Sequence, residues 1–351
     1  MIKTLINLKK TKAYKLILLI IWLPVYEIIW QFIINFDRKI IYYRWKLGRN
    51  INSKYTKNLK KNFYKIVKDD EDFKKISDKI NNALDANNSE LSKLIDKKFV
   101  DLQSKEVGNN AMSTGEKQFN INFFEYLDDN LKKEILNLSI SDKMLSIATD
   151  YMKVYPVLAK VIVYKNYPTK FPQRGSMLWH KDDFGYKSLD LFLNISNVDD
   201  DNGPLHVLKK NDPLGVYSKS IHEISNPERG ERGKLDNDYI NENENTDKIC
   251  KLLGYSNGLL VDSFRVYHRG GHCKNNTRLM LRFSYQTKDC LRLKDIDEKS
   301  SFVSLLSEKQ LNNFFVKRLL FYKSNNVNKF VKNLLMKLYR ILHYKKVDLF
   351  S

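Results

Sequence analysis

The stretch that decides the fold reads Gln173-Arg174-Gly175-Ser176-Met177-Leu178-Trp179-His180-Lys181-Asp182-Asp183. After a strand-like run it continues as Asp199-Asp200-Asp201-Asn202-Gly203-Pro204-Leu205-His206-Val207. Side chains alternate along a strand, so His180 and Asp182 fall on one face and Asp183 on the other. One imidazole and one carboxylate on one face can fill two sites of a metal ion. A third ligand is offered further on, where the β-rich run Leu259-Leu260-Val261-Asp262-Ser263-Phe264-Arg265-Val266-Tyr267 ends at His268-Arg269-Gly270-Gly271. Beyond it, Arg278 opens the run Leu279-Met280-Leu281-Arg282-Phe283-Ser284-Tyr285. A guanidinium fixed there can grip a carboxylate through two parallel hydrogen bonds. Arg278 and Arg282 share one face, so parity alone does not choose between them.

Two histidines and one carboxylate, with positions left open, form the ligand set of non-haem Fe(II) oxygenases. The ordered set Trp179-His180-Lys181-Asp182, Asp201-Asn202-Gly203-Pro204-Leu205, His268-Arg269-Gly270-Gly271 and Arg278 resembles the phytanoyl-CoA dioxygenase family of Fe(II)/2-oxoglutarate oxygenases, over roughly residues 140–288. The resemblance implies an α+β protein with a double-stranded β-helix (jelly-roll, cupin-like) core. It implies Fe(II) on His180, Asp182 and His268, 2-oxoglutarate as co-substrate with its distal carboxylate on Arg278, O2, and hydroxylation of an organic substrate. The family spacing selects Arg278 over Arg282. Related halogenases replace the carboxylate ligand with a small residue, and here Asp182 is present. The family usually follows Gly-Pro-Leu with a Pro-Gly-Ser-His turn, whereas this chain reads Lys209-Lys210-Asn211-Asp212-Pro213. The loop facing the substrate therefore departs from the family pattern.

The net charge of +20 sits on the two ends of the 351-residue chain. Residues 1–66 carry 15 Lys and Arg against 2 acids, and residues 301–351 carry 10 against 2, which leaves residues 67–300 at −1. Three regions follow: a basic, apolar N-terminal segment over 1–66, an oxygenase domain over 67–300 and basic amphipathic helices over 301–351. A nucleic-acid demethylase of the same chemistry would place positive charge around its pocket, so no nucleic-acid partner is expected. A non-catalytic scaffold on a degenerate barrel would be expected to lack a ligand, and none is missing. Cys250, Cys273 and Cys290 have no zinc spacing and fit reduced thiols in a cytoplasm.

From Leu16 to Phe36 the chain is apolar, interrupted by Pro24 and by Glu27, Gln31 and Asn35 at four-residue steps. A helix lying in a membrane interface fits this better than a span or a packed core helix, with Trp22, Trp30, Tyr42, Tyr43 and Trp45 at headgroup depth. The expected partners are therefore an anionic membrane surface on the cytoplasmic side and a small-molecule or lipid-type substrate. Residues 51–105 read as helical, with Phe73, Ile76, Ile80 and Leu84 on one side and Ser89 as a cap. Residues 119–155 read as continuing helix with Ser141 as a cap, and Leu158–Tyr164 and Leu189–Ile195 as strands. Gly254–His268 reads as the second metal strand. Residues 225–247 read as a lid or insertion. The fold is expected to end near Leu293, with further helices over 311–322 and 330–344. Gln173, Ser176 and Tyr164 are candidates to line the co-substrate pocket. His206, His222, His272 and His343 lack partners for a metal site.

Overall fold

The computed structural model describes residues 35–49, 55–85, 89–104, 119–170, 173, 175–182, 187–208, 249–288, 290, 293, 296 and 302–323. The apolar run before Asn35, the insertion 225–247, the turn 209–213, Asp183, His222, His343 and the helix expected over 330–344 lie outside the described residues.

The protein is α+β, built on a double-stranded β-helix. The strands are β1 (Tyr64–Val67), β2 (Asn120–Asn122), β3 (Val157–Asn166), β4 (Ser188–Asn194), β5 (Leu205–Leu208), β6 (Ile249–Leu252), β7 (Gly258–Val261), β8 (His268–Gly270) and β9 (Arg278–Gln286). Among the described residues they form a six-stranded sheet, ordered β1-β7-β4-β9-β3-β2, and a three-stranded sheet, ordered β6-β5-β8. Every pairing is antiparallel. The chain passes from the large sheet at β4 to the small one at β5 and β6, back at β7, across at β8 and back at β9. That alternation winds two sheets around one interior.

Strand periodicity explains the layers. On β4 and β9 the odd-numbered Leu189, Leu191, Leu193, Leu281, Phe283 and Tyr285 pack into the core under the helices. The even-numbered Phe192 and Met280 face the small sheet, where they meet Leu205, Val207, Leu259 and Val261. The same parity puts Asp190, Arg278 and Arg282 between the sheets.

The helices are α1 (Phe36–Lys46), α2 (Thr56–Asn62), α3 (Glu71–Asp85), α4 (Glu90–Ser104), α5 (Asp129–Ser139), α6 (Asp142–Met152), α7 (Glu308–Asn312) and α8 (Phe314–Leu320). α3 buries Phe73, Ile76, Ile80 and Leu84, as their spacing requires. Ser89 and Ser141 cap α4 and α6 by accepting from the N–H groups of Ser92 and Met144. Among the described residues no helix is long and apolar enough to cross a membrane.

Four expectations change. Tyr64–Val67 is an edge strand within a helix-like context, because β7 offers it a free edge. Residues 120–122 pair with β3 before the helices begin. The fold does not end near Leu293: Leu305, Leu306, Val316, Leu319 and Leu320 join the main core, and the Tyr155 hydroxyl donates to the Phe315 carbonyl at 2.9 Å. Finally, Tyr42 and Trp45 are not at a surface. They are 5 % and 2 % exposed and pack with Ile41 in that same core. Burying each such side chain stabilises the fold by about 1.5–3 kcal/mol.

Candidate metal centre

His180 and His268 face each other across a β-bridge. The His180 N–H donates to the His268 carbonyl at 3.0 Å, and the His268 N–H returns the bond at 2.9 Å. The sequence places His180 and Asp182 on one strand, but the bridge ends at His180. Asp182 is held by its own N–H, which donates to the Ser263 carbonyl at 2.8 Å. His268 likewise does not end the strand that carries Leu259–Val261. A turn intervenes, and Asp262 builds it. Its carboxylate accepts from the Phe264 N–H at 3.1 Å and from the Tyr151 hydroxyl at 2.6 Å. Burial raises the pKa of Asp262, against the pull of Arg265 and Tyr151. This turn carries the chain from the large sheet to the small one and starts β8 at His268.

One donor atom from each of His180, Asp182 and His268 lies within 4.8 Å of the other two. Asp182 Oδ1 is 3.6 Å from His180 Nε2 and 3.8 Å from His268 Nε2. The opposite ring nitrogens are committed. His180 Nδ1 lies 2.7 Å from the Leu178 carbonyl and His268 Nδ1 lies 3.1 Å from the Val266 carbonyl. A carbonyl can only accept, so each Nδ1 carries a proton and each ring turns its Nε2 toward Asp182. Two imidazole nitrogens and a carboxylate oxygen converging on one point can all be offered to one ion. This donor set fits a divalent metal ion. The Asp182 side chain keeps 25 % of its surface open, so the point is reachable.

The other oxygen of Asp182 is taken. Arg282 Nη2 donates to Oδ2 at 2.6 Å and to Asp190 Oδ1 at 3.0 Å, while Arg282 Nε donates to the same Asp190 oxygen at 3.1 Å. Asp190 is fully buried on β4 and also accepts from the Ser263 hydroxyl. Burial favours protonation of Asp182, but Arg282 and then the two imidazoles outweigh it and hold the carboxyl far below the usual range.

Arg278 has a different environment. It is 3 % exposed, and the Asn166 carboxamide oxygen, oriented by these bonds, accepts from its Nε at 3.1 Å and Nη2 at 2.9 Å. Its Nη1 is buried with no hydrogen-bond partner among the described residues. A buried guanidinium N–H left unpaired costs about 1–3 kcal/mol or more, so the site fits an acceptor supplied by a ligand. Gly270 makes room for this group: a Cβ there would sit 3.3 Å from Arg278 Nη2.

The two glycine-containing motifs prove to be one unit. Gly203 has φ +65°, and a Cβ on it would lie 2.4 Å from the His272 carbonyl carbon. A Cβ on Gly271 would lie 2.5 Å from the Pro204 oxygen. The Gly271 N–H donates to that oxygen at 2.9 Å, and Asn202 Nδ2 donates to the Thr277 carbonyl at 2.9 Å. The turn before β5 thus locks the segment joining His268 to Arg278.

Of the remaining candidates, Tyr164 lies between the sheets, its hydroxyl 2.9 Å from Met280 Sδ, and burial raises its pKa. Gln173 accepts from Arg269 Nη1 at 3.1 Å. His206 sits on the β5 face opposite to Val207. Burial, then Arg269 and Lys251, push its pKa down to about 3, so it is neutral and apart from the metal point. His272 Nε2 is tied to the Thr169 carbonyl at 2.8 Å. Asn166 and Asp190 were not singled out by sequence. Asp190 had a signal, since a carboxylate inside Leu189-Asp190-Leu191-Phe192-Leu193 must find a partner when buried. Asn166 had none.

No family model and no curated protein matches the sequence. Solved structures do match. The apo form of EctD from S. alaskensis is 16 % identical over 71 % of this chain and 81 % of its own, with a TM-score of 0.43. EvdO2 from Micromonospora carbonacea var. aurantiaca is 14 % identical over 68 % of this chain and 92 % of its own, with a TM-score of 0.41. SnoK, described as a non-heme alpha-ketoglutarate-dependent carbocyclase from nogalamycin biosynthesis, is 11 % identical over 74 % and 92 %, with a TM-score of 0.41. At these scores the matches add nothing to the geometry of the site.

Proposed function

We propose that this protein is an Fe(II)- and 2-oxoglutarate-dependent dioxygenase that hydroxylates an organic substrate. The observation that carries the proposal is the pair His180 and His268, each held at Nδ1 by a backbone carbonyl and each turning Nε2 toward Asp182 Oδ1. In this reading His180, Asp182 and His268 hold the iron. Arg278 binds the distal carboxylate of 2-oxoglutarate through its unpaired Nη1. Iron so held, with 2-oxoglutarate and O2, supplies oxidative decarboxylation to succinate and CO2 coupled to oxidation of a substrate C–H bond. Arg282 fixes the orientation of Asp182, and Asn166 fixes that of Arg278. The motif resemblance to phytanoyl-CoA dioxygenases supports the same assignment, and the presence of Asp182 favours hydroxylation over halogenation.

The substrate we propose is membrane-associated: a lipid, an acyl chain or a lipid-linked glycan, reached from the cytoplasmic face of an anionic membrane. The support is the separation of charge, +13 and +8 on the two ends against −1 between them. Purified protein should convert 2-oxoglutarate to succinate only with Fe(II) and O2, and untargeted analysis of host lipids and surface glycans should find an oxidised product that depends on Asp182. Absent turnover would leave a scaffold, iron-independent turnover would remove the metal assignment, and an oxidised nucleobase would leave a demethylase.

A further inference from the structure

We infer that the outer face of α1 is a docking surface for an anionic lipid bilayer. The inference deepens, and rests on, the peripheral membrane reading above. α1 carries two opposed apolar faces. Arg38, Ile41, Tyr42 and Trp45 point inward and are buried. Phe36, Ile40, Tyr43 and Leu47 follow one another at steps of four, three and four residues. At 3.6 residues per turn these steps confine them to an arc of about 60° on the opposite side. They are 55 %, 47 %, 57 % and 76 % exposed.

This stripe is not scattered surface apolarity. Of the nine exposed large hydrophobic side chains among the described residues, four lie on it, and a fifth, Phe314 on α8, sits 5.0 Å beneath the Arg44 guanidinium. A concentrated exposed apolar patch marks an interaction site. Cations flank it on both sides: Arg44 on one, Lys39 and Lys46 on the other. The acid of the helix, Asp37, is paired at 2.6 Å with Lys288, so it does not offset them.

The flanking charge selects the partner. A second copy of the chain would set Arg44, Lys39 and Lys46 against the same cations. Residues 1–34 carry 5 Lys and 1 Glu, and residues 324–351 carry 6 Lys and Arg and 1 Asp, so neither end complements a basic surface. An anionic bilayer satisfies both features: the stripe enters the acyl boundary while the cations meet lipid phosphates.

The test is co-sedimentation of the full-length protein with vesicles of phosphatidylcholine alone or mixed with phosphatidylserine. Wild type should bind the mixed vesicles. Ile40→Ser/Leu47→Ser should cut binding by about tenfold or more at both low and high salt, since it removes burial. Arg44→Gln/Lys46→Gln should cut it at low salt only, since these charges are screened at high salt. Both variants should keep the wild-type melting temperature and iron-dependent 2-oxoglutarate turnover. Wild type and Ile40→Ser/Leu47→Ser binding equally would overturn the α1 assignment and leave the membrane reading standing. No vesicle binding by wild type would remove both. Concentration-dependent dimerisation that the apolar variant abolishes would also overturn it, in favour of self-association.

Discussion

Arg282 Nη2 donates at 2.6 Å to Asp182 Oδ2, the carboxylate oxygen that the two histidines do not face. One oxygen thereby faces the two histidines and the other is committed to a guanidinium. Arg282 is in turn fixed by Asp190, which is wholly buried on the neighbouring strand β4. The chain Asp190–Arg282–Asp182 sets the rotation of the carboxylate before any metal arrives.

Replacing Arg282 with Met, or Asp190 with Asn, should therefore weaken metal binding by about 10–100-fold, the usual cost of losing a group that orients a ligand. Titration of the apo protein with Mn(II), followed calorimetrically, reads this without relying on turnover. Unchanged affinity in both variants would show that Asp182 is oriented by its backbone alone.

Arg278→Lys should raise the KM for 2-oxoglutarate more than the KM for substrate, because a point charge replaces a planar fork. Asn166→Ala should do the same to a smaller degree, since it frees Nε and Nη2 to swing away from the fixed orientation. Metal affinity should not change in either. An effect on Mn(II) binding equal to that of Arg282→Met would place Arg278 in the wrong role.

These paired roles show what the sequence could and could not display. The candidate site residues were legible because His180, Asp182, His268 and Arg278 lie in short motifs with fixed spacing. The choice between Arg278 and Arg282 was not legible from the residues alone, since both point between the sheets. The structure sets them apart through Asp190, which holds Arg282, and Asn166, which holds Arg278, and both of these reach β9 only through strand pairing. The polar, helix-like composition of residues 51–105 likewise masked the short strand Tyr64–Val67, which β7 pairs with from far along the chain. On α1 a run of aromatic residues looked uniformly interfacial. Only the packed structure separates buried Tyr42 and Trp45 from exposed Tyr43.

Gly271→Ala should destabilise the fold by about 1–3 kcal/mol, the range for overpacking against groups that cannot move aside. The new Cβ would meet the Pro204 oxygen at 2.5 Å and the Gly203 carbonyl carbon at 2.6 Å. Both belong to the turn that anchors β5. Urea unfolding measures the loss, and Gly48→Ala provides a contrast, since nothing lies within 4 Å of its Cβ position although its φ is +75°. Gly48→Ala reports the cost of the left-handed backbone alone, and no measurable loss at Gly271 would mean that the turn relaxes without cost.

The acid limb of stability should carry a contribution from Asp70. Its carboxylate accepts from the Phe73 N–H at the start of α3 and pairs with Lys143 at 2.5 Å. Burial alone would raise its pKa, but Lys143 and the Tyr55 hydroxyl outweigh this and the net shift is downward. A carboxyl whose folded pKa is depressed stabilises the fold above its unfolded pKa of about 3.9 and loses that contribution as pH falls through the folded value. Asp70→Ala should therefore cost about 1–2 kcal/mol at pH 7, from the lost cap and charge-assisted bond. The gap between variant and wild type should be the same at pH 7 and pH 5. It should narrow only below about pH 4, where Asp70 of the unfolded chain takes up a proton that the folded carboxyl still resists. Urea titrations at stepped pH measure it, and a gap already closing between pH 7 and pH 5 would show that some other group governs the dependence.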